Sequence, residues 1–320
     1  MNALSLLFLF GLLQQQAVTD YDPLVSAGKV TIKDMQFQYG TDDRVVPIKV
    51  YLPESSTPAA VLLFSHGLGG SRDGGAYLGK HWAGRGYVVV AMQHAGSDSA
   101  VWKDAPLRQR LDAMKKAANW DSLQGRVNDV GATLDQLTKW NDDDADLKGR
   151  LDLSKVGMSG HSFGAVTTQA VSGQNYGRLG QKLTDKRINA AIAFSPSMPN
   201  TGNVGRPFEK VSIPWLLMTG TNDTSVINRT TVDDRLQVYK ELPAAGHFYE
   251  LVLFEAEHAA FADETRIGAA KRNPNHHKVI QALSTAFWDT YLLKKPDAKT
   301  WLTGESAKAL LEPNDEWFSK

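Results

Sequence analysis

The chain of 320 residues contains no cysteine. Disulfides, thiolate metal sites and a cysteine nucleophile are therefore excluded. It also has no surplus of either charge, because 35 lysines and arginines balance 35 aspartates and glutamates. Without a basic excess to neutralise phosphates, nucleic acid is not expected as a partner. No G-x-G-x-x-G fingerprint or P-loop lysine is present, which removes the usual sequence grounds for a nucleotide site. Finally, no apolar run is long enough to cross the roughly 30 Å hydrocarbon core as a helix, so stable membrane insertion is not expected.

The longest apolar run is LSLLFLFGLL at residues 4–13, followed by three glutamines and Ala17. Its length is that of a signal-peptide core, and residues 1–17 read as an export signal. The mature protein would then be periplasmic or secreted, and cytoplasmic otherwise. No lysine or arginine precedes the run and no A-x-A site follows it, so a buried N-terminal helix is the alternative.

Beyond this run the composition is that of a globular protein, with 42% hydrophobic and 22% charged residues. At about 150 residues per domain the length allows two domains, but α/β folds of this size often form one. Strand-type segments fall at residues 29–39, 45–52, 60–64, 87–92, 153–158, 188–194, 211–218 and 249–254. Several are short, wholly apolar runs such as AVLLF and YVVVAM, which suit strands buried on both faces of a parallel sheet. Helical spacing appears at 76–84, 105–118, 125–140, 165–171 and 277–293, with Pro296 as a stop and a short helix at 306–311. Strands alternating with helices predict one α/β domain over residues 29–320: a mostly parallel sheet of about eight strands flanked by helices.

Gly160-His161-Ser162-Phe163-Gly164 fits G-x-S-x-G, a weak match by itself. Its context gives it weight, since a strand precedes it and a helix follows. A sharp strand-to-helix turn holds the serine in a strained backbone conformation, and side chains two residues either way would collide with the turn. Ser162 is thus the expected nucleophile. A serine hydroxyl needs a base, and in this arrangement acid and histidine follow from later strands. His258 lies just beyond the strand ending at Phe254, whereas His247 precedes that strand, and His276 and His277 sit beside Pro274 at a helix start, where capping or exposure is expected. Asp223 ends the preceding strand segment; Glu255, Glu257, Asp233 and Asp234 are the rivals. The expected catalytic set is Ser162, Asp223 and His258. Two backbone N–H groups should bind the oxyanion, those of Phe163 and of Leu68 within His66-Gly67-Leu68-Gly69-Gly70.

These residues resemble the α/β-hydrolase superfamily, across nearly the whole chain after residue 29. Within it, Ser65–Arg72 (SHGLGGSR), residues 93–98 (QHAGSD) and residues 160–165 (GHSFGA) look like the bacterial predicted dienelactone hydrolase group, which is similar to platelet-activating-factor acetylhydrolases. The resemblance implies an α/β-hydrolase fold without a large cap domain. It implies a serine esterase with no metal or organic cofactor, acting on a small-molecule or lipid-like ester. It supports the same triad and oxyanion donors. Dienelactone hydrolases carry a cysteine nucleophile, absent here, and Ala95 and Ala165 stand where the group has proline and glycine. Only a short connection follows the sixth strand, so no lid is expected there. Residues 97–122, with Trp102, Met114 and Trp120, could flank the site, although each aromatic taken singly reads as core. A peptidase of the same fold and a non-catalytic binding protein are the competing functions; a halide-releasing enzyme would need aspartate at position 162.

Overall fold

In the computed structural model the described residues are 20–199, 205–227, 229–263 and 273–320. The expected export signal at 1–17 lies outside them. Nine strands form one sheet in the order β1-β2-β4-β3-β5-β6-β7-β8-β9. They are β1 (Val30–Tyr39), β2 (Arg44–Pro53), β3 (Ala59–Ser65), β4 (Val88–Met92), β5 (Leu151–His161), β6 (Ile188–Phe194), β7 (Trp215–Asn222), β8 (Phe248–Glu257) and β9 (Glu316–Ser319). The six central strands, β4-β3-β5-β6-β7-β8, are parallel, and antiparallel partners stand at both sides. The expected mostly parallel α/β sheet is present, with one strand more than the sequence suggested. That strand, β9, has four residues, and its Trp317 stacks on Tyr249 of β8 with ring centroids 5.5 Å apart.

The continuous apolar runs have their reason in the layers. Alternate residues of a strand face opposite sides. Leu62 and Phe64 of β3 join a core with Leu78 and Trp82 of α1 (Ala76–Gly84), while Val61 and Leu63 join a second core across the sheet. Helices α2 (Ala100–Lys103) and α3 (Arg110–Ala117) follow β4, and α4 (Trp120–Asp143) supplies Val130, Leu134 and Leu137 to the second core. The other elements are α5 (Phe163–Val171), α6 (Val232–Glu241), α7 (Pro274–Tyr291), α8 (Pro296–Thr303) and α9 (Glu305–Lys308). Val279, Ile280, Leu283 and Phe287 of α7 pack beside α1 on the first face.

Several boundaries differ from the sequence reading. β7 begins after Pro214, which has no N–H for the ladder, and runs on to Asn222 instead of spanning 211–218. Pro296 does not stop α7, which ends at Tyr291; it opens α8, where its missing N–H costs nothing. Asp234 is not merely on a solvated face, since with Thr231 it closes a capping box at the start of α6.

A buried carboxylate ties the first face together. Asp289 of α7 accepts hydrogen bonds from Tyr21 and Arg85 on one oxygen, at 2.8 and 2.7 Å, and from Tyr87 and Lys295 on the other, at 2.7 and 3.1 Å. Burial favours its neutral form, but the bonds from Tyr87 and Arg85 outweigh burial and hold the carboxyl below its usual range. Its stabilisation is therefore present above the unfolded carboxylate value of about 3.9 and is lost as pH falls through the native value. Asp289→Ala should lower the unfolding free energy by about 3–5 kcal/mol at pH 7, as expected for removing one partner of a buried pair. Denaturant titration measures this, and the gap between wild type and variant should narrow in acid.

Candidate active site

β5 runs directly into the turn at Ser162, and α5 starts at the next residue. Ser162 has φ 59° and ψ −116°, a left-handed conformation that is costly for a residue with a side chain. Neighbouring backbone holds it there. The Ser162 amide donates to the Phe194 carbonyl of β6 at 2.9 Å. A Cβ on Gly164 would overlap the Ser65 carbonyl, and one on Gly160 would lie 2.8 Å from that same oxygen. Both glycines are thus required by close approach of β3, β5 and α5.

The structure brings Ser162, His258 and Asp223 together. His258 opens a short 3-10 turn immediately after β8, and its Nε2 lies 2.9 Å from Ser162 Oγ. Its Nδ1 donates to Asp223 Oδ1 at 2.7 Å. Asp223 follows β7 and is fully buried. Its other oxygen accepts from Thr219 Oγ1 at 3.0 Å, and Arg235 Nε of α6 approaches Oδ1 at 3.0 Å. Burial opposes ionisation of Asp223, but the bond to His258 and the Arg235 charge outweigh it and keep the carboxyl below its usual range. The rival carboxylates Glu255 and Glu257 are exposed. His276, expected to cap a helix or face solvent, is instead buried, 3.2 Å from the Phe254 carbonyl; His277 stacks on Tyr77.

Sequence reasoning missed two supporting groups. Buried Arg235 also donates to the Asp223 carbonyl at 2.6 Å and to the Ser195 carbonyl at 2.8 Å, so it fixes the acid's loop against the end of β6. His161 donates from Nε2 to the His258 carbonyl at 3.0 Å, with burial pulling its pKa down to about 3, so it is a neutral link between the serine turn and the histidine turn. Nothing in the linear spacing marks Arg235, which lies 12 positions after Asp223 on another element. His161 was visible only as the variable position of the motif.

The loop after β3 lies beside the serine: a Cβ on Gly67 would sit 3.4 Å from Ser162 Cβ. Gly69 has φ +73°, donates to Ser97 O at 2.9 Å and accepts from Trp102 Nε1 at 2.7 Å. Trp102 and Met114 therefore pack on this loop, and Trp102 is not simply core. Trp120 is partly exposed and meets Tyr176 edge to face. Among the described residues, neither the Leu68 nor the Phe163 backbone N–H has an acceptor.

The sheet order, the strand-to-helix turn at Ser162 and the positions of the other two side chains after β7 and β8 resemble those of α/β-hydrolases, and the chain is similar to known esterases. A family model for platelet-activating factor acetylhydrolase, isoform II, matches residues 49–124. Platelet-activating factor acetylhydrolase of Cavia porcellus is 29% identical over 167 residues, which cover 43% of this chain and 35% of that protein. Cutinase est2 of Thermobifida alba is 23% identical over 209 residues, 62% of this chain and 56% of the relative. Cutinase est1 of the same organism is 23% identical over 175 residues, 55% and 46%. The matches thus span between about a third and somewhat over half of these relatives' lengths.

Gly164→Ala should destabilise the protein by about 3 kcal/mol or more, because the new methyl meets a backbone carbonyl that cannot swing aside. A thermal or denaturant midpoint within error of wild type would show that the turn can open without cost.

Proposed function

We propose that the protein hydrolyses carboxylic esters of small-molecule or lipid-like type, through an acyl-enzyme on Ser162. The observation that carries this reading is the continuous line of bonds from Asp223 through His258 to Ser162 Oγ, at 2.7 and 2.9 Å. In it, His258 takes the serine proton as Oγ attacks the ester carbonyl, then returns that proton to the leaving alkoxide. Water repeats the sequence on the acyl-enzyme, with His258 again base and then acid. Asp223 fixes the tautomer with Nδ1 protonated and stabilises the imidazolium. The carbonyl oxygen becomes an oxyanion, for which the donors are the amides of Leu68 and Phe163, which have no acceptor among the described residues.

Similarity to an acetylhydrolase and two cutinases favours ester over amide cleavage. Leu68, Trp102, Met114 and Phe163 give the loop side of the site an apolar wall. The connection from β6 to β7 spans only residues 195–214, and a wall of this kind without a large inserted cap fits short acyl chains.

Turnover of p-nitrophenyl acetate, butyrate and octanoate, with the matching anilides for comparison, tests the reading. Ser162→Ala should abolish hydrolysis and block labelling by a fluorophosphonate; retained turnover would remove the nucleophile. Asp223→Asn should lower kcat by up to about 10⁴ through the wrong imidazole tautomer. A loss of only a few-fold would mean that another carboxylate orients His258.

A further inference from the structure

Arg126 of α4 is completely buried, yet among the described residues it enters no ion pair. The nearby carboxylate, Asp129, is committed elsewhere. It takes two bonds from Arg44, at 2.7 and 2.9 Å, and one from His94 Nδ1 at 2.9 Å. The guanidinium of Arg126 spends its donors on neutral acceptors instead: Nε on Ser97 Oγ at 2.8 Å, Nη1 on the His66 carbonyl at 2.7 Å and on Ser65 Oγ at 3.2 Å, and Nη2 on the Ser97 carbonyl at 3.4 Å. It also lies 4.5 Å over the ring of Phe163. Burial favours loss of its charge, and the buried carboxylates Asp129 and Asp98 favour keeping it without bonding to it. A buried cation to which no carboxylate is bonded is expensive, and fold stability alone would be served better by an apolar side chain.

Two of the groups it touches, the His66 carbonyl and the Phe163 ring, lead directly to the Leu68 and Phe163 amides, which have no acceptor among the described residues, and a third, the Ser97 carbonyl, accepts from Gly69. Through the His66 carbonyl it fixes the strand end that leads into Gly67 and Leu68. The neutral His66 ring accepts the His94 amide on Nε2 and donates from Nδ1 to the Gly67 carbonyl at 2.6 Å. Gly70 N–H donates to the same oxygen at 3.0 Å. Two donors on that carbonyl polarise the peptide whose N–H is that of Leu68, and polarised donors bind anions more strongly. On the other side, the guanidinium holds Phe163 by its ring face.

Resting on the ester-hydrolysis reading above, we propose that Arg126 is a positioning residue for the oxyanion site: its positive charge, hydrogen-bonded to no carboxylate among the described residues, sets the Leu68 and Phe163 amides in place and adds a fixed positive field where negative charge develops on the substrate oxygen. The charge acts through the two backbone donors and does not touch substrate.

Three variants separate charge from shape: Arg126→Lys, Arg126→Gln and Arg126→Met. Each is checked for native folding by circular dichroism, then assayed for kcat and KM on p-nitrophenyl acetate. Each is also titrated with a trifluoromethyl ketone. That probe accepts Ser162 Oγ at its carbonyl carbon, passes the hydroxyl proton to His258 and leaves an oxyanion in the site. Arg126→Gln and Arg126→Met should lose about 10²-fold in kcat and a similar factor in ketone affinity, with KM within about threefold. Arg126→Lys should stay within about tenfold of wild type. Equal losses in the lysine and glutamine variants would make Arg126 a purely structural residue and overturn the proposal, as would a neutral variant within about threefold of wild type. If neither neutral variant folds, the lysine variant decides: a native spectrum with kcat down about 10²-fold refutes the role of charge. Ser162→Ala keeps the two readings apart. If that change leaves turnover intact, the nucleophile assignment has failed; if it abolishes turnover while the position-126 variants remain active, only the role of Arg126 has failed.

Discussion

The carbonyl of Ser65, at the end of β3, occupies the space that side chains on Gly160 and Gly164 would need. This contact presses the start of α5 onto the end of β3, and the chain between β5 and α5 can satisfy it only by turning sharply at Ser162. The same residue marks where β3 stops and the His66–Gly70 loop starts. One steric constraint therefore sets the serine and the loop bearing Leu68 in register. The two elements are 96 positions apart, from residue 66 to residue 162, yet they have little freedom to move relative to each other. The paired strands β3 and β5 also lie where the strand order reverses, with β4 on one side and β6 on the other, and crevices at such points commonly hold ligands.

Around this contact the buried charges divide into two groups with opposite logic. Beside His258, Asp223 and Arg235 are both buried, and each satisfies the other in part. The carboxylate stays ionised, and the guanidinium uses its remaining donors on carbonyls at the end of β6. Across the site, Asp129 is bonded to Arg44 and His94, and among the described residues Arg126 hydrogen-bonds neutral acceptors only. The first group keeps an anion ready to face an imidazolium. The second leaves a cation behind the loop. In the proposed reaction, a proton moving from serine to histidine would create a positive ring and a negative substrate oxygen, and each new charge would arise on the side where the opposite charge is fixed in place.

The sequence announced those parts that depend on local chemistry. The glycine pair around Ser162 was readable because a crowded turn tolerates no other residue, and the apolar runs of β3 and β4 because both faces of the sheet are covered. The positions of Asp223 and His258 could be inferred from the ends of later strands, and the structure sets His258 against Ser162 and Asp223 against His258. What could not be read depends on contacts between remote segments. Arg235 looks like any charge on an amphipathic helix, and Arg126 sits in α4 among residues such as Asp129 and Asn128 that suggest a solvated face. Trp102 read as core, yet its indole nitrogen holds Gly69. The last strand, β9, has too few residues for any alternation, and it forms only because β8 offers it a partner.

The matches to known proteins fit the same division. The family model covers residues 49–124, which contain the His66–Gly70 loop, Trp102 and Met114 but none of Ser162, Asp223 or His258. A loop whose backbone must pass within contact distance of another strand constrains several consecutive residues, and this loop falls inside the matched range. A hydroxyl, a carboxylate and an imidazole each need only one position at the end of a strand. The chain between those positions can vary in length and sequence without disturbing their meeting point, provided that β5, β7 and β8 stay in order. A scaffold with this tolerance is compatible with the 23% identity to the two cutinases.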